Sequence, residues 1–363
     1  MRLIKFFIII VLFSKVSLAN TDSSFPSKNI MKHIEALAGE SGIGPRIAGS
    51  EEEIQAANFV YKQFESAGLA AEVEPFKAVF RGKKVAEASQ NITAIIPGHS
   101  TDVFIIGAHY DSVPKATGSM GVIDNAASIA LMIELAKHIQ ATKKPAVTVK
   151  FIAFGAEEVG LIGAKEYVKA LSKTDHAKII GMLNLDSITG GDNLYIHSAL
   201  SKGYDCEGNK ASFAASPIYR DRLLALAESM KLSFAKHPGN PSYPAGETGG
   251  WSDHAPFACA GIPIANIEAT NFSLLGRNGR DGYSQTENAN LWTCYDPVKK
   301  GYCDKTKEKQ WGEIWHTQFD RLDVLNKEFP NRLLTQLEQS YELLTKFVSD
   351  EKLLQGEVLL GEE

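Results

Sequence analysis

Thiols are scarce in this chain: four cysteines in 363 residues, Cys206, Cys259, Cys294 and Cys303, none in CxxC spacing, which argues against a thiolate zinc cage or a CxxC redox centre. A dominant charge is also missing. With 38 basic and 43 acidic residues mixed along the chain and a net charge of -5, there is no basic stripe for nucleic acid, and no nucleic-acid partner is expected. Beyond the first twenty residues no segment reaches the length of about 20 apolar residues needed to cross a bilayer. Internal repeats, coiled-coil heptads and low-complexity tracts are absent as well. What is present is 44% hydrophobic against 22% charged residues, the balance of a globular protein with a full core, expected as a single domain.

The amino-terminal residues follow a different pattern: Arg2 and Lys5, an apolar run over 6–13, then small or polar residues up to Ser17-Leu18-Ala19. This predicts a secretory signal peptide over 1–19, a mature chain over 20–363 and an exported product, periplasmic or secreted, of bacterial type. An even cysteine count in an exported chain permits disulfides. Cys294 and Cys303, close together in a polar loop, are the expected pair, whereas Cys259 reads as a buried thiol.

Residues 30–68 show helical periodicity, with Ile54, Ala57, Tyr61 and Phe64 expected on one core-facing side. Strands are expected over 73–79, 91–97 and 103–108, followed by a helix over 125–139, a strand over 147–154, a helix over 161–171 and a strand over 179–185. Such alternation of strand and crossover helix predicts an α/β three-layer sandwich, with a central mixed, mostly parallel sheet between helices. After Asp186 the pattern becomes irregular. A helix near 221–230, a short strand at 263–267 and a final amphipathic helix over 331–348 are expected there. The polar stretch 271–310 is too long for a plain connector and is expected to cover or shape a site.

In such sheets, ligands gather at the carboxyl ends of the strands. The apolar run 103–108 ends in His109-Tyr110-Asp111; Asp124 precedes the first crossover helix; Glu157-Glu158 follows 147–154; Asp186 follows 179–185; and His316 stands late in the chain. Singly, each could be a helix cap or an ordinary polar residue. Together they form an imidazole and carboxylate set without thiolate, which suits zinc or a similar ion, and a shared carboxylate suits a pair of ions. Converging carboxylates repel one another unless cations intervene. Asp111 is placed to accept the second ring N–H of His109, the plainer alternative being that it starts a turn, and Asp320 could serve His316 in the same way.

These motifs, with Pro45-Arg46-Ile47-Ala48-Gly49-Ser50, Ser252-Asp253-His254 and His316-Thr317, resemble the co-catalytic di-zinc aminopeptidases, a family that includes secreted bacterial leucyl-type enzymes and, more distantly, glutamate carboxypeptidase. Asn184-Leu185-Asp186, 191–195 and 268–271 are most similar to the alkaline phosphatase isozyme conversion aminopeptidases. The resemblance implies two zinc ions: Asp124 bridging them, His109 and Asp186 completing one site, Glu158 and His316 the other, and Glu157 as general base. It implies a peptide or protein N-terminus as substrate and places Asp253-His254 near it, with His254 equally open to a structural role; Trp251, Glu247 and Tyr243 are candidate pocket-wall residues against the plainer reading of loop residues. A basic first residue would then be expected, with Glu247 and Asp253 as acidic partners. One position departs from the family: many relatives have Tyr before the last His ligand, and this chain has Trp315. Glutaminyl cyclases, which share the fold, use a single zinc and also tend to have Trp there, are the alternative enzyme reading. A non-catalytic binding ectodomain is the third, and the complete ligand set speaks against it. Oligomeric state is not legible.

Overall fold

A computed structural model of the chain describes residues 25–80, 83–84, 88–206, 213–240, 243–350 and Leu354. The expected signal peptide lies outside these residues. The chain enters through α1 (Ser27–Ala38) and α2 (Glu51–Ser66). Ser50 caps α2 by accepting from Glu53 N at 3.1 Å. The buried side of α2 is Glu53, Ala56, Ala57, Val60 and Phe64, while Ile54 is 48% exposed, contrary to the expected face. Tertiary demand explains the shift. Glu53 turns inward because its carboxylate accepts from Gly49 N, Ser89 Oγ and Ala156 N, which ties the helix start to the loop that carries Glu157.

The strands follow as β1 (Ala70–Phe76), a small hairpin of β2 (Val79–Phe80) and β3 (Lys83–Lys84), β4 (Ser89–Ile96) and β5 (Ser100–His109). After α3 (Ala127–Ala141) come β6 (Val147–Phe154), α4 (Ile162–Ala170), α5 (Lys173–Lys178), β7 (Ile179–Leu185) and β8 (Asn193–Ala199). Then come α6 (Ile218–Met230), β9 (Phe234–Ala235), β10 (Glu247–Thr248), α7 (His254–Cys259), β11 (Ile264–Thr270), the hairpin β12 (Tyr295–Asp296) and β13 (Gly301–Tyr302), α8 (Leu322–Glu328) and α9 (Arg332–Ser349).

Among the described residues the central sheet has nine strands in the order β1-β4-β6-β5-β7-β11-β8-β10, with β9 beside β8. Strands β6, β5, β7 and β11 run parallel, and the pairs β1/β4, β4/β6 and β8/β11 are antiparallel, so the sheet is mixed and mostly parallel as expected. Successive side chains of a strand face opposite sides. Phe104 and Ile106 join Phe151, the α3 residues Leu131 and Leu135, and Phe347 of α9 in one core; Ile105, Ile152 and Phe154 join Tyr167 of α4 and Phe257 of α7 in the other. Helices therefore cover both faces, which gives three layers. The strand β8 was not legible in the sequence. It lies between β11 and β10 and carries the polar, buried His197 and Ser198, which break the apolar run that would mark a central strand.

Candidate metal centre

Each of the three parallel strands β5, β6 and β7 delivers a polar residue to the same sheet edge. His109 is the last residue of β5, Glu157-Glu158 follow the turn after β6, and Asp186 directly follows β7. Asp124 comes from the irregular turn over Val122–Ala126 ahead of α3, where the Asp124–Asn125 peptide bond is cis. The fifth group, His316, arrives from a distant loop with a left-handed backbone, φ 57°.

These side chains form two triads. His109, Asp124 and Asp186 offer one ligand atom each within 4.8 Å of one another, and so do Asp124, Glu158 and His316. Asp124 belongs to both: its Oδ1 lies 3.2 Å from His109 Nε2, and its Oδ2 lies 3.1 Å from His316 Nε2. The remaining arms are His109 Nε2 to Asp186 Oδ1 at 3.4 Å and His316 Nε2 to Glu158 Oε2 at 3.1 Å. Glu158 Oε1 is buried and has no hydrogen-bond partner. An orphaned buried carboxylate oxygen beside shared N/O donors fits divalent cations, and a mixed imidazole and carboxylate set suits zinc.

Electrostatics points the same way. Burial works against charge on His109, yet Glu157, Asp111, Asp124 and Asp186 outweigh it and hold its pKa well above the imidazole range. Burial likewise opposes charge on His316, but Asp124 and Glu158 push it up to about 11. The imidazoles in turn override burial at Asp124 and hold its carboxyl well below the usual range. Burial, with the Asp124 charge adding, pushes Glu158 up to about 7. For Glu157 burial is again the main cause, with Asp253, Glu158 and Asp186 adding to it against His109, and its pKa stands well above the carboxylate range. Without metal, protonated imidazoles carry the compensating charge that cations would otherwise supply.

The supports differ from expectation in instructive ways. The Asp111 carboxylate accepts from Glu157 N at 3.0 Å and Glu158 N at 3.1 Å. His109 Nδ1 is nearer the backbone carbonyl of Asp111, at 3.2 Å, than its carboxylate, at 3.6 Å. Asp111 thus aims the two glutamates and orients His109 chiefly through its main chain. Asp320 does not meet His316. Fully buried, it accepts from Ile123 N at 2.7 Å and Ser119 Oγ at 3.0 Å, and so fixes the turn that presents Asp124.

The groups expected near the substrate separate. Trp251 and Trp315 line a cleft of about 740 Å³ together with His109, Asp124, Glu157 and His316. Tyr243 lines the hollow next to it and packs edge-on against Trp251 at 5.2 Å. Asp253 is fully buried with both carboxylate oxygens unpaired, and burial holds its pKa well above the carboxylate range. His254 is also fully buried: its Nε2–H donates to Gly249 O at 2.8 Å, and burial pushes its pKa down to about 4, so it is a neutral structural residue. Glu247 sits on the edge strand β10, where its carboxylate accepts from Ser201 N at 2.7 Å and Ser201 Oγ at 2.9 Å, outside the lining of the cleft. Neither Glu247 nor Asp253 is presented to the cleft as an acidic partner; Glu268 and Asp281 line it instead.

Sequence reasoning missed three supporting residues. Asn125 donates to Leu185 O at 2.8 Å and accepts from Ser187 N at 3.2 Å, so it grips both sides of Asp186. Gln285, in the long stretch 271–310, accepts from Ile314 N and Trp315 N, both at 2.8 Å, and so sets the approach to His316. Arg46, fully buried, donates to the carbonyls of Leu37, Gly44, Tyr110, Met120 and Gly121 at 2.7–3.1 Å. A Cβ at Gly121 would come within 2.7 Å of Arg46 Nη2, and its φ is +65°, so glycine is required there. Arg46 and Asn125 each stand in a motif visible in the sequence, 45–50 and 123–125, although the motif does not itself show their supporting roles; Gln285 has no such signal. The same long stretch contributes Tyr283 to the cleft and is stapled by a Cys294–Cys303 disulfide, Cα–Cα 5.5 Å. Cys259 is not a free thiol: it pairs with Cys206, 53 residues earlier in the chain, at Cα–Cα 5.6 Å.

A three-layer α/β fold with this donor set at its strand ends defines a metal-dependent hydrolase. Residues 91–338 match peptidase family M28. The chain belongs to that family and is a zinc-dependent peptide hydrolase. It is 28% identical over 308 residues to the alkaline phosphatase isozyme conversion protein of Escherichia coli K12, covering 79% of this chain and 80% of that one. Its fold is similar to that of a zinc aminopeptidase from Bacillus subtilis, TM-score 0.63 and 19% identity, over 91% of this chain and 97% of the other. The fold is also similar to that of the Porphyromonas gingivalis glutaminyl cyclase, TM-score 0.60 and 16% identity, over 90% and 98%.

Proposed function

We propose that this chain is an exported aminopeptidase that hydrolyses the first peptide bond of peptides or protein N-termini with two zinc ions. The observation that carries this reading is the pair of triads sharing Asp124, whose two oxygens face different imidazoles. His109, Asp124 and Asp186 would hold one ion, and Asp124, Glu158 and His316 the other. Bound zinc would polarise the scissile carbonyl and bring the pKa of its water towards neutrality.

Everything else is work for the chain. Glu157 has its backbone fixed by Asp111, and its side chain is available to take the proton of the attacking water and return it to the leaving amine nitrogen. Trp315 lines the cleft and offers an indole N–H as donor to the developing oxyanion, in the place where many relatives use Tyr. Glu268 and Asp281 add negative charge to the same cleft, which attracts the free α-ammonium and suits a basic first side chain. Export is supported by the amino-terminal sequence and by two disulfides, which persist in oxidising compartments. Among the described residues no helix is long and apolar enough to cross a membrane.

Trp315 and the shared fold keep single-zinc glutaminyl cyclisation as the second reading. A panel of aminoacyl anilides with free and acetylated amines, run with and without chelator, separates the two. Chelator-sensitive release from free amines alone, strongest for a basic residue, supports the aminopeptidase. Cyclisation of N-terminal glutamine without anilide release refutes it.

A further inference from the structure

The metal cleft does not end at the triads. Gly160, Leu161, Lys165, Asp205 and Gly250 line it and also line a second hollow of about 1120 Å³ beside it. Pockets of about 300–1,000 Å³ enclose a drug-sized ligand, so the second hollow alone has room for more than one residue. A bridge fixes its wall: the Cys206–Cys259 disulfide joins the loop after β8 to the end of α7. Tyr204 Oη, on the same wall, donates to Thr248 O at 3.0 Å. The charge balance shifts along the cleft, beyond the Lys165 and Asp205 that both lobes share. The metal lobe is lined by acidic groups, Glu268 and Asp281 among them, whereas the second lobe adds Lys169 and Lys202 and, as its acidic addition, Glu166. An enzyme that gripped only the first residue of its substrate would fill the metal lobe and leave this one empty.

We propose that the second lobe receives the polypeptide that follows the scissile bond, so that the preferred substrates are chains of several residues with acidic side chains soon after the first. This rests on the aminopeptidase reading and adds the substrate class to it. The free α-ammonium is drawn to the acidic lobe and downstream carboxylates to the lysine lobe, and this polarity sets the direction in which the chain lies. An extended chain spans about 3.3–3.6 Å per residue, so even a short peptide passes from one lobe into the next. Lys169 is exposed and already meets Glu166 at 2.9 and 3.1 Å, so each lysine contributes modestly. Two exposed charge pairs correspond to an advantage of about two- to tenfold, screened by salt.

The test uses the zinc-loaded protein and substrates sharing one first residue: an anilide, a dipeptide, and pentapeptides carrying either two Glu or two Lys at the third and fourth positions. Specificity constants are compared at low and high salt for the wild type and for the double variant Lys169→Glu, Lys202→Glu. The expected result is faster turnover of pentapeptides than of the dipeptide. The acidic pentapeptide should lead the basic one by about two- to tenfold at low salt, a lead that salt erases and the variant inverts. Anilide turnover should be the same in both proteins, which also reports that the variant is folded. Equal constants for dipeptide and pentapeptides, or an acidic preference that survives in the variant, would overturn the proposal while leaving the aminopeptidase intact. Failure to cleave the anilide and every peptide would remove the aminopeptidase reading and this proposal with it.

Discussion

Replacing Arg46 with leucine withdraws five hydrogen bonds from a fully buried pocket behind the metal centre. Two of the five carbonyls keep another donor: Leu37 O accepts from Gly44 N at 3.0 Å and Gly121 O from Ala126 N at 3.1 Å. Among the described residues, the carbonyls of Gly44, Tyr110 and Met120 are left with no such second donor. A buried acceptor stripped of its partner costs about 1–3 kcal/mol, so three of them cost about 3–9 kcal/mol. That is comparable to the whole stability of a domain, about 5–15 kcal/mol. The substitution also removes the buried cation, its pKa pushed down to about 10 by burial, that faces Asp320, Asp111, Asp124 and Glu158. Arg46→Lys keeps a charge and at most three donors, so it should fall between the wild type and leucine. Urea unfolding of the purified proteins, with metal content measured on the folded fraction, reads both effects. If Arg46→Leu lies within about 1 kcal/mol of the wild type, or if lysine and leucine are equally damaging, the inferred role of this guanidinium is wrong.

Two other outcomes follow from the same geometry. Glu157→Gln should keep its full complement of zinc and lose turnover by about 10²–10⁴, while Glu158→Gln should bind metal poorly and regain part of its activity with added zinc; a reversed pattern of metal content would exchange the two roles. In the metal-free protein His109 and His316 have raised pKa values, the latter about 11, and Glu158 stands at about 7, so these groups hold protons at neutral pH that zinc must displace. Zinc binding should therefore release protons and weaken as pH falls from 8 towards 5, roughly. Calorimetry in buffers of different ionisation enthalpy measures the release, and binding with no net proton release would contradict the assignment.

The parallel strands β5, β6 and β7 and the polar residues at their ends were legible because each apolar run stops at a charged side chain, a pattern that depends on local sequence alone. What failed to show depends on distant partners. Ile54 has helical spacing for the core, but Glu53 takes the inward place because Ser89 and Ala156 lie there to receive it. Asp320 was expected to serve His316, yet its carboxylate is claimed by Ile123 N–H in the turn that carries Asp124; Asp111 does lie beside His109 Nδ1, at 3.6 Å, but its carboxylate also accepts from the backbone N–H groups of Glu157 and Glu158. Gln285 had no signal at all: its value lies in accepting from Ile314 and Trp315, about thirty residues on, which no periodicity encodes. Cys259 read as a buried apolar thiol, and the partner that changes its chemistry, Cys206, lies across a long loop.

The shared-carboxylate account is tested most directly by counting zinc and turnover on the same sample. Chelated protein would be titrated with zinc, with bound metal measured by mass spectrometry and activity by release from a free-amine aminoacyl anilide. Turnover is predicted to be absent without metal and to reach its plateau as the bound count approaches two per chain. Full turnover at one ion per chain, or activity that persists once the metal is gone, would contradict it.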